Sequence, residues 1–177
     1  MRSEQGRLGY SGAETGDSFS KGTMLPGVDD ITARQQWPNL RQENCAITSP
    51  SSPVYNCAAW AANDPNSWWQ PLQVSGSITY WPDGARRDET IAAYEEAFQT
   101  LGYQRCGDGS LEPGAEKIAL YADAAGLFVH AARQLNDGRW TSKLGDLVDI
   151  EHPTLADVAG GIYGQSILFM ERRLADY

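Results

Sequence analysis

The sequence predicts an α+β fold in which short helices come first and an antiparallel sheet follows. Two patterns support this prediction. In the first half, Ile91, Tyr94, Phe98 and Leu101 recur at the spacing of one helix face. In the second half, apolar residues alternate with a period of two, and Asp137-Gly138 between two such runs is a typical hairpin turn. Helices followed by a strand meander give an α+β arrangement.

Size and charge limit the classes of function. A chain of 177 residues is long enough for one domain with a sizeable core, plus a tail. The formal net charge of −9 argues against a nucleic-acid partner, because phosphate binding needs clustered Lys and Arg. The chain has neither an apolar run long enough for a bilayer nor the start of a secretory signal, so we expect no membrane partner. As encoded, we expect a cytoplasmic protein, which a specialised secretion system could still deliver.

Residues 1–35 are predicted to form a flexible or extended arm, and residues 36–177 a single domain. Up to about residue 32 the chain is rich in Gly, Ser, Asp and Glu, and its apolar residues follow neither helical nor strand spacing. Met24-Leu25-Pro26-Gly27 is the predicted docking point of this arm on the domain.

The first helix is predicted over residues 57–63, with Cys57 as its first residue. Asn56 is a good helix cap, and Asn63-Asp64-Pro65 stops the helix after about two turns. A thiol at a helix start faces the positive end of the helix dipole and unpaired N–H groups, which favour the nucleophilic thiolate. The alternative is an inert cysteine that packs the alanine-rich helix into the core.

An aromatic-rich loop follows the first helix. Trp68, Trp69 and Trp81 in this loop, together with Trp60 on the helix, are candidates for lining a substrate groove. The alternative is that they cover the core, because each Trp buries a large apolar area.

A scaffold helix and five strands complete the predicted fold. The helix covers residues 88–101, with Asp88 as its cap and acidic residues in its first turn. Between Thr154 and Ala159 the chain is predicted to make one or two helical turns. The strands are predicted over residues 103–106, 117–122, 127–135, 139–144 and 162–170.

The two histidines are the candidate general bases for a thiol catalyst. His130 lies near a strand start among apolar neighbours, where a hydrogen-bonded core residue is the alternative, and His152 lies in a loop and looks more exposed. With a two-residue turn in the hairpin, His130 lies opposite Gly145, so a group that orients its imidazole comes from just past the next strand. Asp146 and Asp149 occupy that position.

Lysine and cysteine side chains suggest two further sites. Lys143 is a candidate for binding a substrate carboxylate, and the alternative is a solvated position on a strand face. A zinc site built from Cys57, Cys106 and His130 is another alternative, but no Cys-x-x-Cys or His-x-x-x-His spacing supports it. The odd number of cysteines, three, does not indicate a disulfide framework.

Several short motifs resemble those of a known group of proteins. They are Tyr55-Asn56-Cys57 with Ala59-Trp60-Ala61, His130-Ala131-Ala132-Arg133-Gln134-Leu135, Gly138-Arg139-Trp140-Thr141-Ser142-Lys143-Leu144-Gly145 and Asp149-Ile150-Glu151-His152. Over about residues 54–173 the chain resembles a family of small, uncharacterised bacterial proteins. The order of a helix-start Cys, a strand-start His and an acid is also similar to the papain-like superfamily, which includes bacterial cell-wall amidases and peptidases.

The second resemblance implies a papain-like α+β domain over residues 36–177 and a role for each motif residue. It implies Cys57 as nucleophile, His130 as general base and acid, and Asp149 as the group that orients His130, with His152 or Asp146 as substitutes. Papain-like enzymes usually place a Gln shortly before the Cys to complete the oxyanion hole, whereas this chain has Ser51, Ser52 and Pro53 there. Asn56 and the backbone N–H of Cys57 are the remaining oxyanion candidates.

The sequence as a whole therefore predicts a thiol-dependent acyl-transfer enzyme. The simplest version hydrolyses a peptide or a side-chain amide, with no cofactor and no metal. The alternative from another class is a non-catalytic binding module of the same fold, which uses its Trp- and Tyr-rich loops to hold a protein or glycan. The substrate and the oligomeric state stay open.

Overall fold

The computed structural model describes residues 24–73 and 75–174. It contains a seven-stranded sheet in which every strand pair is antiparallel, so the predicted α+β class with a C-terminal antiparallel sheet is confirmed. The spatial order of the strands is β1-β6-β5-β4-β3-β7-β2. Their bounds are β1 Ala46–Ser49, β2 Gln104–Cys106, β3 Ala115–Ala122, β4 Phe128–Gln134, β5 Trp140–Lys143, β6 Asp149–His152 and β7 Gln165–Arg173.

The described residues contain three α-helices: α1 Asp30–Gln36, α2 Cys57–Ala61 and α3 Ile91–Gln99. As predicted, α2 begins at Cys57, because the Asn56 side chain accepts a hydrogen bond from the Ala59 N–H at 3.2 Å. α3 begins later than predicted, since its cap is Thr90. None of the helices in the described part of the chain is long and apolar enough to cross a membrane.

The sheet carries an apolar core on each face. On one face α2 and α3 pack over strand residues such as Leu120 and Ala131. On the other face α1 and the segment between β6 and β7 pack over Tyr121 and Ala132. Successive residues of one strand point to opposite faces, so each strand contributes to both cores.

Part of the predicted arm is packed against the domain. Leu25, within the predicted docking point, is fully buried, and Ala33 of α1 lies in the same core. The predicted boundary at residue 35 falls inside α1, a helix that the sequence patterns did not indicate. The remainder of the predicted arm, residues 1–23, lies outside the described residues.

The register of the β4–β5 hairpin differs from the prediction by one residue. Ala132 pairs with Ser142 and Gln134 with Trp140, and the Leu135 N–H donates to the Arg139 carbonyl, which leaves three residues in the turn instead of two. The backbone of Gly138 has a φ of 88°, the left-handed conformation that closes such a three-residue turn. The predicted pairing of His130 with Gly145 is therefore wrong. Because side chains alternate between faces, this shift changes which β5 residues share a face with His130.

The segment that contains His152 is a strand and not a loop. β6 pairs with β5 on one side and with β1 on the other, so it is an internal strand of the sheet. His152 is 1% exposed, and the prediction of an exposed loop histidine is wrong. β1 was not predicted either, because its four residues show no clear alternation of apolar and polar side chains.

Candidate functional site

Cys57 lies at the start of α2, in the wall of a cleft of about 220 Å³. We call this the thiol cleft; its walls also include Asn56, Trp68, Gln70, Val129 and Tyr163. The residue is 9% exposed, so the thiol is at the edge of the core and still borders the cleft.

Two opposing effects act on the Cys57 thiol. Burial raises its pKa to about 11, because an ionised sulfur loses its hydration. The backbone N–H groups of Ala131, Ala58 and Cys57 itself, together with the Lys143 ammonium, favour the thiolate and limit that rise. The resting residue is therefore a neutral thiol at neutral pH, surrounded by groups suited to stabilise negative charge.

His130 is fully buried on the sheet face opposite to α2. Its ring stacks on Tyr163, with ring centroids 3.9 Å apart, and packs edge-on against Tyr121. Burial lowers the pKa of His130 well below 6.5, and His152 acts in the same direction. No hydrogen bond joins its imidazole to the Cys57 sulfur in the described structure. The backbone N–H of Ala131, the residue after His130 in β4, faces the sulfur.

A chain of hydrogen bonds fixes the tautomer of His130. His152 places Nδ1 at 2.8 Å from the Thr154 carbonyl, which only accepts, so Nδ1 carries the proton. Burial lowers the pKa of His152, so its Nε2 is a free acceptor for the Ser142 hydroxyl at 2.9 Å. The Ser142 oxygen then accepts from His130 Nε2, also at 2.9 Å. His130 Nδ1 therefore carries a lone pair and no proton, and it is buried without a hydrogen-bond partner in the described structure.

Among the groups predicted to orient His130, only His152 reaches it, and it does so through Ser142. Asp149 lies on the α2 face, where its Oδ2 accepts from the Tyr55 hydroxyl at 2.6 Å and from Ser49. Asp146 is exposed in the turn between β5 and β6. Asp149 pairs with Lys143 in the register of β5 and β6, so the shift in hairpin register is what separates it from His130. Ser142 was not identified from the sequence, because a strand serine carries no catalytic pattern of its own.

The predicted groove residues are mostly buried. Lys143 is fully buried, donates to the Leu147 carbonyl and lies over the Tyr55 ring at 5.1 Å, so it does not line an open groove. Trp69 and Trp81 are 2% and 5% exposed and belong to the core. Trp60 stacks on Tyr55 and donates to Thr141, whereas Trp68 borders the thiol cleft.

Two carboxamides border the thiol cleft, and they are used differently. The Asn56 amide donates to the Trp69 carbonyl at 2.7 Å, and its oxygen accepts from the N–H groups of Ala59 and Trp69. Asn56 therefore joins the helix start to the aromatic loop. The side chain of Gln70 makes no hydrogen bond within the described residues, so its amide is available to a bound molecule.

The zinc alternative gains no support from the geometry. It requires Cys57, Cys106 and His130 in one place, but within residues 24–73 and 75–174 no three His, Cys, Asp or Glu side chains are arranged to hold a metal ion. The Cys106 sulfur instead donates to the Asp108 carbonyl. All three cysteines are free thiols.

Comparison with known proteins places the chain in a family. A domain of unknown function, DUF7689, matches residues 46–171, and the chain therefore belongs to this family. The matched segment begins at β1 and ends within β7, so it includes Cys57, His130, Ser142 and His152. No curated protein and no solved structure matches the chain. Family membership thus supplies no activity, and the chemistry of the site has to indicate one.

Proposed function

We propose that this protein is a papain-like, thiol-dependent acyl-transfer enzyme, in its simplest form an amide hydrolase. Cys57 is the nucleophile and His130 the general base. The observation that carries the proposal is the unprotonated, unpartnered Nδ1 of His130, which lies one residue before the N–H group that faces the Cys57 sulfur. A buried acceptor without a donor is costly, and a catalytic role is one reason for which a protein retains such an atom.

The reaction begins with attack of the Cys57 sulfur on the carbonyl carbon of an amide. The thiol proton passes to His130 Nδ1, and the carbonyl oxygen becomes an oxyanion. When the C–N bond breaks, protonated His130 returns its proton to the departing amine, and Cys57 is left as a thioester. Water, deprotonated by His130, then hydrolyses the thioester and restores the thiol.

The first proton transfer requires the His130 ring to leave its stack on Tyr163 and turn toward the thiol cleft. A β-bulge supports this requirement: Tyr121 pairs with His130 but Ala122 pairs with Phe128, so Val129 is an extra residue in β4. Bulges next to active sites change the direction of a side chain. Val129 itself lines the thiol cleft, directly before the proposed base.

The oxyanion has candidate donors on both sides of the cleft. The N–H groups of Cys57 and Ala58, at the start of α2, already favour negative charge on the sulfur. The free amide of Gln70 is a third donor. It is the counterpart of the Gln that precedes the Cys in papain-like enzymes. Asn56 is not available for this role, because its amide bonds Trp69.

The proposed mechanism differs from that of a resting thiolate–imidazolium pair. Burial raises the pKa of Cys57 to about 11 and lowers the pKa of His130, so the neutral pair is the stable resting form. His130 therefore acts only during attack, as a general base. We expect the reactivity of Cys57 at pH 7 to 8 to depend on His130, although the thiol is not ionised beforehand.

The test is the rate of alkylation of each cysteine by iodoacetamide, read by mass spectrometry at several pH values. In His130→Gln, which keeps a polar side chain beside the Ser142 hydroxyl, labelling of Cys57 should fall about tenfold or more, since general-base catalysis contributes at least about a hundredfold. Labelling of Cys45 and Cys106 in the same molecules is the internal control and should not change. Equal labelling of Cys57 in the folded variant and in the wild type would contradict the proposal.

A second candidate function is a binding module of the same fold with an inert cysteine. The observation that favours it is the burial of Cys57, which raises its pKa, together with the lack of a hydrogen bond to His130. This function predicts that Cys57 labels only when the protein unfolds, at the same rate in the wild type and in His130→Gln. Trp68, which borders the thiol cleft, would then contact the partner.

A further inference from the structure

A second and larger cleft, of about 530 Å³, lies at the opposite end of α2 from Cys57. Asn63, just past the helix, forms one wall, and the other walls come from the strand ends of β3, β4 and β7. Its charged lining residues are Glu112, Glu116, Arg133 and Arg172. We call it the arginine cleft. It shares no lining residue with the thiol cleft.

The carboxylate of Glu116, which lines this cleft, already has hydrogen-bond partners. Its Oε2 accepts from Arg172 Nε at 2.8 Å and from a second Arg172 nitrogen at 2.7 Å. Its Oε1 accepts from the Asn63 amide. Glu112 forms ion pairs with Arg173 and Lys117 at the rim of the cleft. Both acids are thus neutralised by cations other than Arg133.

Arg133 has no carboxylate partner in the described part of the chain. It forms no salt bridge within 4.0 Å, and its one hydrogen bond is a long one, from Nε to the Trp60 carbonyl at 3.5 Å. Its guanidinium carbon is 5.6 Å from the centre of the Trp60 ring, which holds the group in place. A guanidinium has five N–H donors, so most of its donors are free to bind a ligand in the cleft.

An arginine without an ion pair is unusual in a chain that has more acidic than basic residues. Burial lowers the pKa of the partly buried Arg133, and the Glu116 carboxylate, already paired with Arg172, raises it without forming an ion pair with Arg133. Desolvation of a cation is costly unless a bound anion offsets it. A planar guanidinium binds a carboxylate through two parallel hydrogen bonds. A single free arginine is therefore enough to hold one carboxylate.

We propose that the arginine cleft is a binding site for a carboxylate, held by Arg133. The carboxylate belongs either to a small organic acid or to the C-terminus of a peptide. Short segments before β3 and after β4 border the cleft beside Arg133, and they leave room for an extended ligand of a few atoms beyond the carboxylate. The site does not depend on Cys57 or on the proposed enzyme activity.

The test is a titration of the ¹⁵N-labelled full chain at low ionic strength, with amide shifts followed by NMR. The probes are succinate, N-acetyl-Ala-Ala with a free carboxylate, and N-acetyl-Ala-Ala-amide. We expect saturable shifts at Gly114, Gln134 and Asn136 with the two carboxylates and none with the amide. Tighter binding of N-acetyl-Ala-Ala identifies a peptide C-terminus as the ligand class, and tighter binding of succinate identifies a small acid.

Variants separate Arg133 from general charge effects. Arg133→Met keeps the aliphatic stem and should weaken carboxylate binding about tenfold or more, because a charge-assisted pair is lost. Arg86→Met removes the same charge outside the cleft, from an exposed pair with Glu96, and should leave binding unchanged. Glu116→Gln removes negative charge from the cleft without removing a cation and should tighten binding several-fold.

Three results would overturn the proposal. They are shifts of equal size with N-acetyl-Ala-Ala-amide, carboxylate binding that is equal in the wild type and Arg133→Met, and shifts with inorganic phosphate but with neither carboxylate. If Arg133→Met does not fold, Glu116→Gln still decides, since unchanged or weaker binding in that variant contradicts a site governed by the charge of Arg133.

Discussion

The two faces of strands β4, β5 and β6 bury polar groups in opposite ways. The α2 face buries ionisable groups of opposite charge, Lys143 and Asp149, with Tyr55 donating to the carboxylate. The other face buries His130 and His152, two groups kept neutral and joined through one hydroxyl. Lys143, Asp149, His130 and His152 are all at most 1% exposed. One face therefore depends on charge compensation, and the other on a fixed pattern of donors and acceptors.

The sheet face on which a buried polar residue lies, and not its position along the chain, decides which polar groups it contacts. Ser142 and Lys143 are adjacent in β5, yet one belongs to the neutral chain and the other to the charged group. A buried ion is strongly destabilising once its counter-charge is lost. A chain of neutral hydrogen-bonding groups needs no counter-charge, but each lone pair in it has to face a proton.

Removing the cation from the charged face should have the largest effect on stability. In Lys143→Met the Asp149 carboxylate, whose Oδ1 already lacks a partner in the described structure, remains buried without a nearby cation. We expect the free energy of unfolding to fall by about 3 to 5 kcal/mol, measured by denaturant titration. Arg86→Met, which breaks an exposed ion pair, is the control and should cost less than about 1 kcal/mol. Similar losses in the two variants would show that Lys143 does not compensate a buried charge.

Breaking the neutral chain at its centre should have a smaller effect. Ser142→Ala leaves the Nε2 atoms of both histidines without a partner, so we expect a loss of about 2 kcal/mol. NMR of the imidazole nitrogens should show that His130 no longer holds one tautomer. Thr141→Val is the matched control, because it removes a hydroxyl on the other face that bonds Trp60. Unchanged imidazole signals in Ser142→Ala would contradict the chain of donors and acceptors.

Acid should destabilise the neutral face. The folded protein lowers the pKa of both histidines below 6.5, so below that pH the unfolded chain binds protons that the native state does not. The stability contributed by the neutral imidazoles is complete above pH 6.5 and is lost as pH falls, by up to about 1.4 kcal/mol per pH unit for each histidine. His152→Gln should reduce the slope of unfolding free energy against pH between 6.5 and 5.5. An unchanged slope in that variant would contradict the assignment to His152.

The turn that sets the faces should show the smallest effect. Gly138→Ala places a Cβ on a residue with a φ of 88°, and we expect a cost of about 1 kcal/mol with the β4–β5 register unchanged. Gly107→Ala is the control, since Gly107 does not have a positive φ and has no neighbouring atom within 4 Å of an added Cβ. A loss in Gly138→Ala no greater than that in Gly107→Ala would argue against the three-residue turn.

The sequence alone determined those features that depend on a few neighbouring residues. The start of α2 at Cys57 follows from the side chain of Asn56, and the period-two alternation after Lys117 predicted the C-terminal strands. The α+β class follows from the order of these local patterns. Each of these choices is made within one or two turns of chain, where propensity and capping act directly.

The tertiary structure alone decided where the polar residues meet. The hairpin register, the internal position of β6 and the burial of Lys143 all result from pairing between distant strands, and a shift of one residue reverses every side chain. The β5–β6 register put Asp149 beside Lys143, and the β4–β5 register put Ser142 on the face of His130, where it joins His130 to His152. Sequence motifs could indicate which residues matter, but the face of the sheet on which each lies is a property of the assembled core.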